Sequence, residues 1–164
     1  LVADGETRIL VDTSPDLRRQ LLDADVDRLD AVLYTHAHAD HLHGIDDLRA
    51  INRTMGADIP AYADAETWRT IETRFGYVVT PLPDGSDFYN KPQLTPHTIG
   101  PGDRFGIGPM TIHAFDQDHG ISRSIGYRFG QFAYSTDVVD LPEESFAALA
   151  GIEPAHDGMI IEVE

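Results

Sequence analysis

The sequence LYTHAHADHLHGIDD, residues 33–47, concentrates potential metal ligands in one short segment. Four of the eight histidines of the chain stand at positions 36, 38, 41 and 43, and Asp40 lies among them. The apolar run LDAVLYTH leads into this segment and predicts a buried strand that ends at the first histidine. Neutral imidazole and carboxylate groups are suited to zinc, manganese and iron. The segment therefore predicts a metal site at the end of a strand.

The spacing of these side chains distributes them over two neighbouring positions. In an extended or looped backbone, His36 and His38 point to the same side, so both can reach one ion. Asp40 and His41 follow after the chain turns, and we expect them to face a neighbouring ion. A solvated polar loop, or buried histidines bonded to backbone carbonyls, would explain a lone histidine. The clustering and the position at a strand end favour the metal site instead.

Composition limits the kinds of metal site and partner. The chain has 164 residues and no cysteine, so any metal must be held by histidine and carboxylate. Its 28 acidic and 12 basic residues give a net charge of −16, which disfavours nucleic acid as a partner. Bound divalent cations would supply the positive charge that a phosphate substrate needs.

Length and hydrophobicity predict one globular domain that spans residues 1–164. The chain is 41% hydrophobic and 24% charged, as expected of a soluble protein. No apolar stretch is as long as a membrane span, so no membrane partner and a cytoplasmic location are expected. A homodimer is compatible with the sequence, which leaves the oligomeric state open.

The order of predicted elements indicates a layered α/β domain. Apolar runs predict strands at TRILVDT (7–13), LDAVLYTH (29–36) and IPAYA (59–63). Helices are predicted at SPDLRRQLLDADV (14–26, with Ser14 as cap and Pro15 first), GIDDLRAINRTM (44–55) and DAETWRTIETRFG (64–76). Residues 76–96 are predicted to form a long loop. Antiparallel strands are predicted within RFGIGPMTIHAFDQDH, SIGYRFG and QFAYSTD, and a closing helix within PEESFAALAG.

Several of these motifs resemble one known family. THAHADH resembles the HxHxDH signature of the metallo-β-lactamase-fold hydrolases, and Asp12, at the end of ILVDT, is similar to the strand-end aspartate of that family. More narrowly, THAHADHLHGIDDLR and SIGYRF…AYSTDVVDLPEES resemble the cyclic-phosphate phosphodiesterase branch, typified by phosphoribosyl 1,2-cyclic phosphate phosphodiesterase. The resemblance implies an αββα sandwich of two mixed β-sheets flanked by helices, with the metals at the edge between the sheets.

The resemblance also implies two divalent metal ions, Zn²⁺ or Mn²⁺, as cofactors. The first ion would be held by His36, His38 and His119, the second by Asp40 and His41, and both by a bridging Asp137. Asp12 would support the metal loop without binding an ion.

The implied function is that of a metal-dependent hydrolase, a dinuclear phosphodiesterase acting on small cyclic phosphates or nucleotides. Asp40 would contact the nucleophilic water, and Arg123, close after His119, would contact a phosphate oxygen. The alternatives are a tRNA 3′-processing endonuclease, a thioesterase or lactonase of the same fold, and a catalytically impaired metal-binding remnant.

Parts of the family pattern are expected to be missing. The family has a strand and a glycine-rich loop before LVADGETRIL. It also has a later histidine ligand of the second metal and a general-acid histidine, which are absent between ALAGI and EPAHDGM. We therefore expect a missing block at residues 151–153. His156 is a weak substitute, because its tail position carries no metal in the family.

Overall fold

The computed structural model of the chain describes residues 1–85 and 88–153. Two β-sheets pack face to face, and helices cover their outer sides. The predicted αββα arrangement is thereby confirmed. None of the described helices has the length and hydrophobicity needed to span a lipid bilayer.

The first half of the chain forms what we call the N-terminal sheet. Its strands lie in the order of the sequence: β1 (Val2–Asp4), β2 (Thr7–Val11), β3 (Ala31–Leu33), β4 (Ile59–Ala63) and β5 (Leu94–Thr98). The first two strands are antiparallel and the other neighbours are parallel, so this sheet is mixed as predicted.

The second half forms the C-terminal sheet, again in sequence order: β6 (Arg104–Ile107), β7 (Met110–Asp118), β8 (Arg123–Phe129) and β9 (Phe132–Tyr134). All of its described neighbours are antiparallel, as the sequence predicted for the strands of this half. Successive strands are joined here by short connections, and parallel pairing would need longer crossover connections.

Five α-helices accompany the sheets in the described residues: α1 (Leu17–Asp23), α2 (Ala39–Leu42), α3 (Leu48–Met55), α4 (Ala65–Phe75) and α5 (Glu143–Ala148). Single 3₁₀ turns precede α3 at Ile45–Asp47 and follow α4 at Gly76–Val78. Asp64 caps α4 as predicted, because its carboxylate accepts a 2.7 Å hydrogen bond from Thr67 N.

Alternation along the strands divides the core into two layers. Ile9 of β2 and Leu33 of β3 lie in the layer between the sheets. Leu10 and Val32, their neighbours in sequence, lie in the layer under the helices. Successive strand residues point to opposite faces, so one apolar run serves both layers. The strand that leads to the histidine segment is therefore buried on both sides.

Two predicted elements differ in the structure. Helix α1 begins at Leu17 with Asp16 at its cap, so Ser14 and Pro15 precede it rather than open it. The predicted loop at 76–96 ends earlier, because Leu94–Thr98 pairs with β4 as an edge strand. Only Leu94 of that strand is buried, and Pro96 cannot donate to a ladder, so its sequence lacks the usual signals of a strand.

Two hydrogen bonds join the sheets next to the histidine segment. Tyr127 Oη of β8 donates to the carbonyl of Tyr34 at 2.6 Å. The backbone N–H of Ile125, also on β8, donates to the carbonyl of Thr35 at 2.9 Å. These bonds hold the end of β3 against the C-terminal sheet, which fixes where the histidines can meet ligands from the second half.

Candidate metal centre

Three segments at strand ends, after β3, β7 and β9, bring the predicted ligands together at one edge of the sandwich. Two overlapping groups of potential ligand atoms each lie within 4.8 Å of one another. The first group comprises His36, His38, His119 and Asp137, and the second comprises Asp40, His41 and Asp137. The structure thus brings together all six residues that the sequence predicted as ligands.

The carboxylate of Asp137 stands between the two groups. Its Oδ2 atom lies 3.5 Å from His36 Nε2, 3.3 Å from His41 Nε2 and 3.6 Å from His119 Nε2. In the second group, His41 Nε2 also lies 3.4 Å from Asp40 Oδ2. One carboxylate oxygen facing imidazoles of both groups is the arrangement expected of a ligand shared by two cations.

A buried hydrogen-bond network holds the N-terminal ligands in place, and Asp12 is its centre. Asp12 accepts hydrogen bonds from Thr35 N at 2.8 Å and from the Thr35 hydroxyl at 2.7 Å. It also bonds to Nδ1 of His41 at 2.7 Å, and the Thr35 hydroxyl lies 2.9 Å from Nδ1 of His36. Asp12 is therefore bonded to two residues of the histidine segment, Thr35 and His41.

This network determines which nitrogen of each histidine faces the centre. An ionised carboxylate only accepts, so the Thr35 hydroxyl hydrogen goes to Asp12. The same oxygen must then accept from His36 Nδ1–H, and Asp12 must accept from His41 Nδ1–H. Both rings are left with their Nε2 lone pairs directed at Asp137. Metal-binding histidines are commonly oriented in this way by a bond at the other nitrogen.

The donor set fits a divalent cation, and the clearest sign is an unsatisfied buried atom. His36 is 4% exposed, and its Nε2 has no hydrogen-bond partner among the described residues. A buried polar atom without a partner is costly and rare in folded proteins. A cation between His36 and Asp137 would satisfy it. Nearby, His38 Nδ1 and His119 Nε2 lie 3.1 Å apart, either as a direct hydrogen bond or as two ligands of one ion.

Electrostatics favour the metal-binding forms of His36 and Asp137. Burial, reinforced by the neighbouring His41 and His38, lowers the pKa of His36 to about 4, so its imidazole is neutral at pH 7. Burial opposes ionisation of Asp137, but the Thr136 hydrogen bond and the adjacent histidines prevail and lower its pKa. The hydrogen bond to Asp12 raises the pKa of His41, while burial raises that of Asp12. Because Asp12 also accepts twice from Thr35, the shared proton stays on His41.

The backbone around the centre adopts conformations that are unusual for these residues. Asp12 and Asp137 have φ of 59° and 52°, in the left-handed region that residues other than glycine rarely occupy. Gly44 closes the histidine loop against the turn after β2, since an added Cβ would lie 1.9 Å from the Ser14 carbonyl oxygen. The loop is also bonded there, through Thr13 N to His41 O at 2.7 Å.

Arg123 lies beside the centre but has a partner of its own. Its guanidinium donates twice to the carboxylate of Asp116. It also lines a cavity of about 150 Å³ that adjoins His36 and His38. Arg74 of α4 lines the same cavity and has no hydrogen-bond or ion-pair partner within residues 1–85 and 88–153. The structure therefore offers two arginines where the sequence suggested one.

The remaining histidines lie outside the two groups. His43 packs edge-on against Phe75 at 5.6 Å between ring centroids, and His97 stacks on Tyr62 at 4.6 Å. His113 lies on the C-terminal sheet, between Arg104 and Arg128. His156 lies outside the described residues, and so does most of the segment that follows the predicted break at 151–153.

Sequence reasoning missed two residues of the site. Thr35 is visible in the quoted segment, and a hydroxyl at the end of a buried strand next to a ligand histidine is a usable signal. Arg74 carries no such signal. It reaches the cavity because Thr67, Thr70 and Arg74 share one face of α4, a proximity that only the packing of α4 beside the histidine loop reveals.

Comparisons with known proteins agree with this geometry. The family model described as a beta-lactamase superfamily domain matches residues 7–162. A crystal structure of a diphosphatase from the PhnP family superposes with a TM-score of 0.77 at 31% identity. The superposition covers 91% of this chain and 55% of that one.

Two curated relatives are also similar. A ribonuclease Z from Bradyrhizobium sp. is 34% identical over 138 residues, which cover 79% of this chain and 42% of the relative. An octanoyltransferase from Porphyromonas gingivalis is 35% identical over 149 residues, covering 91% of this chain and 29% of the relative. The chain thus spans less than half the length of each of these two relatives.

Proposed function

Because the chain belongs to the beta-lactamase superfamily and is related to the metal-dependent hydrolases of the PhnP family, we propose that it is a dinuclear phosphodiesterase. Its substrates would be small cyclic phosphates or nucleotides. The observation that carries the proposal is the pair of ligand groups that share Asp137 Oδ2.

The two groups define which residues would hold each ion. His36, His38 and His119 would bind the first ion, and Asp40 and His41 the second, with Asp137 common to both. Zn²⁺ and Mn²⁺ suit a set of imidazoles and carboxylates without thiolates. When bound, two such ions would lower the pKa of a shared water molecule and neutralise phosphate oxygens during an in-line attack.

The chain itself would orient the reactants. Asp40 extends into solvent, with 74% of its side chain exposed, so its free oxygen can accept a proton from the attacking water. Asp12 and Thr35 fix the orientation of the His41 and His36 rings next to Asp40. The substrate would enter from the cavity beside His38, where Arg74 and Arg123 can donate to the phosphate oxygens.

The relatives support hydrolysis of phosphate esters over other chemistry of this superfamily. Two of the three proteins compared above carry names for cleavage at phosphorus, a diphosphatase and a ribonuclease. The octanoyltransferase supplies no substrate class for this chain, because only 29% of that protein is matched. Thioester or lactone hydrolysis would share the ions, but no contact in the described residues favours it.

A nuclease acting on tRNA 3′ ends is the second candidate, favoured by the similarity to ribonuclease Z. Charge argues against it. Most of the affinity for RNA comes from basic residues that neutralise backbone phosphates, and this chain has 12 basic against 28 acidic residues. A small substrate that contacts only the ions and one or two arginines avoids this repulsion.

In the described residues, the second ion has one ligand fewer than the first. This is relevant to the alternative that the chain is a catalytically impaired, metal-binding remnant. We propose that the block expected near residues 151–153 supplies this ligand and the general acid. Restoring it should raise turnover by roughly 10²–10⁴-fold, the usual contribution of a positioned acid. Equal turnover with and without the block would show that the 164 residues suffice.

The proposed activity can be tested on the metal-loaded protein with four substrates in parallel. We expect Mn²⁺- or Zn²⁺-dependent cleavage of bis(p-nitrophenyl) phosphate and of a 2′,3′-cyclic nucleotide. We expect no comparable cleavage of a thioester or of a pre-tRNA. Efficient processing of pre-tRNA would favour the nuclease, and thioester hydrolysis without phosphodiesterase activity would place the enzyme in another branch.

A further inference from the structure

A row of three basic side chains, two arginines with a histidine between them, crosses the C-terminal sheet on its outer face, away from the metal centre. Arg104 of β6 pairs directly with His113 of β7, and His113 pairs directly with Arg128 of β8. Their sequence neighbours Phe105, Ile112 and Phe129 point the other way, into the core between the sheets. The alternation of strand residues therefore places the two arginines and the histidine side by side on one surface.

The row lines a groove of about 370 Å³ beside the C-terminal end of α5. Its other lining residues are small or polar: Thr111, Gly130, Ala147 and Ala148. No acidic side chain lines the groove in the described part of the chain. This is unexpected for a protein with 28 acidic and 12 basic residues.

The three side chains of this row differ in the number of hydrogen bonds that fix them. Arg128 is fixed, because its Nε donates to the Gly130 carbonyl at 2.7 Å and its Nη1 to the carbonyls of Ala148 and Ala150 at 2.7 and 3.0 Å. Its Nη2 keeps both hydrogens for another acceptor. Arg104 and His113 have no side-chain hydrogen bond or ion pair anywhere in residues 1–85 and 88–153.

A positive charge on His113 is unfavourable without a counter-charge. Burial and the positive charges of Arg104 and Arg128 lower the pKa of His113, which favours its neutral imidazole. An anion seated between the two arginines would offset their charges and favour the protonated imidazole.

We propose that the groove binds a small multivalent oxyanion of the phosphate class, at a site separate from the metal centre. The Arg128 Nη2 and the Arg104 guanidinium would donate to its oxygens from two sides, in the fork geometry that suits phosphate. His113 would donate from the middle of the row, and Thr111 from the rim. The assignment does not depend on the proposed hydrolase activity, since none of these residues contacts the ligand groups.

The test is a titration of the metal-loaded 164-residue protein with inorganic phosphate, followed by NMR of the histidine ring signals. The signal of His113 is identified by its loss in His113→Gln. We expect phosphate, at concentrations of about 1–10 mM, to shift this signal and to raise the pKa of His113. The metal centre can bind phosphate too, but that event would shift the signals of His36 and His38 instead.

Two matched arginine variants complete the test. Arg104→Gln should weaken the binding seen at His113 by about tenfold, since it removes a charged donor. Arg69→Gln, on the exposed side of α4, should leave it unchanged. A His113 signal indifferent to phosphate, or equal affinity in both variants, would overturn the proposal. Circular dichroism on each variant verifies folding, and the exposed position of Arg104 makes that variant informative even if His113→Gln does not fold.

Discussion

The two sheets contribute to the candidate metal centre in different ways. Two of the four ligands that follow β3 are buried and bonded: His36 and His41 are 4% and 9% exposed, and both rings are held through Asp12 and Thr35. The other two, His38 and Asp40, are exposed, and the ligands from the C-terminal sheet, His119 and Asp137, are half-buried beside turns on which Ile121 and Val139 are 101% and 74% exposed. The buried pair of the N-terminal half is therefore organised before any ion binds, whereas the C-terminal half completes the site.

This difference gives the first ion a structural as well as a chemical role. Its proposed ligands come from both sheets, so binding would link the end of β3 to the turns after β7 and β9. The second group relies on Asp40 and His41 from the N-terminal half and takes only Asp137 from the other. Any ligand that binds only the folded protein stabilises it, and here we expect the C-terminal turns to gain most.

The largest effect should come from removing a ligand from either sheet. We expect His38→Ala and His119→Ala each to lose the first ion and to reduce hydrolysis of bis(p-nitrophenyl) phosphate to background. His43→Ala should retain both, because His43 packs against Phe75 outside the groups. Metal content after dialysis and initial rates are the measurements. If His119→Ala keeps its ion, the C-terminal sheet does not supply an essential ligand of the first ion, and the proposed difference between the two sheets is wrong.

The next effect concerns Asp40, one of the two exposed ligands of the N-terminal half. Its side chain is 74% exposed while that of His41 beside it is buried, as expected of a group that contacts substrate water rather than supporting the loop. Asp40→Ala should reduce turnover by roughly 10²–10⁴-fold while the first ion stays bound. Asp46→Ala, which loses only the hydrogen bond from Tyr77, is the control and should keep its turnover. Full activity of Asp40→Ala with metal retained would exclude the two-ion mechanism.

A matched pair of threonines measures the difference between the halves directly. Thr35 links Asp12 to His36 in the interior, while the Thr136 hydroxyl donates to Asp137 Oδ1 at 3.1 Å on a more open turn. Thr35→Val should weaken metal affinity by about 10–100-fold. It should also lower the free energy of unfolding by about 1–3 kcal/mol, because Asp12 loses a buried donor.

Thr136→Val keeps the shape of the side chain and removes partly exposed hydrogen bonds of its hydroxyl group, to Asp137 and Tyr134. We expect it to change metal affinity less than about fivefold and stability by less than about 0.5 kcal/mol. Isothermal titration with Zn²⁺ and urea unfolding supply both quantities for the two variants. Similar losses in both would mean that the two halves are equally organised.

The sequence predicted those features of the fold and of the candidate site that depend on local signals, and it missed those that depend on contacts between distant segments. Strands β2, β3 and β4 and the candidate ligands that follow β3 were predicted, since apolar runs and the spacing of His36, His38 and His41 are local signals. His119 and Asp137 were implied only by the resemblance to a known family, and β1 was not predicted. The edge strand Leu94–Thr98 was missed, because its pairing with β4 decides its conformation and its own residues do not. Contacts between distant segments, such as Thr35 with Asp12, and Arg74 with the cavity, need the packed structure.

The smallest effect separates the two arginines beside the cavity, one from each half. Arg123 follows His119 in sequence, but its guanidinium is already engaged by Asp116, whereas Arg74 on α4 is unpaired in the described structure. A free guanidinium can bind a phosphate oxygen without giving up another partner, so Arg74 should contribute more. We expect Arg74→Gln to raise KM for a cyclic nucleotide by about tenfold with little change in kcat. Arg123→Gln should change KM less than about threefold, because an exposed ion pair is worth little. Steady-state kinetics of both variants, with Arg69→Gln as control, measure the difference. The opposite order would mean that substrate displaces Asp116 from Arg123, and the phosphate contact would then belong to the C-terminal half.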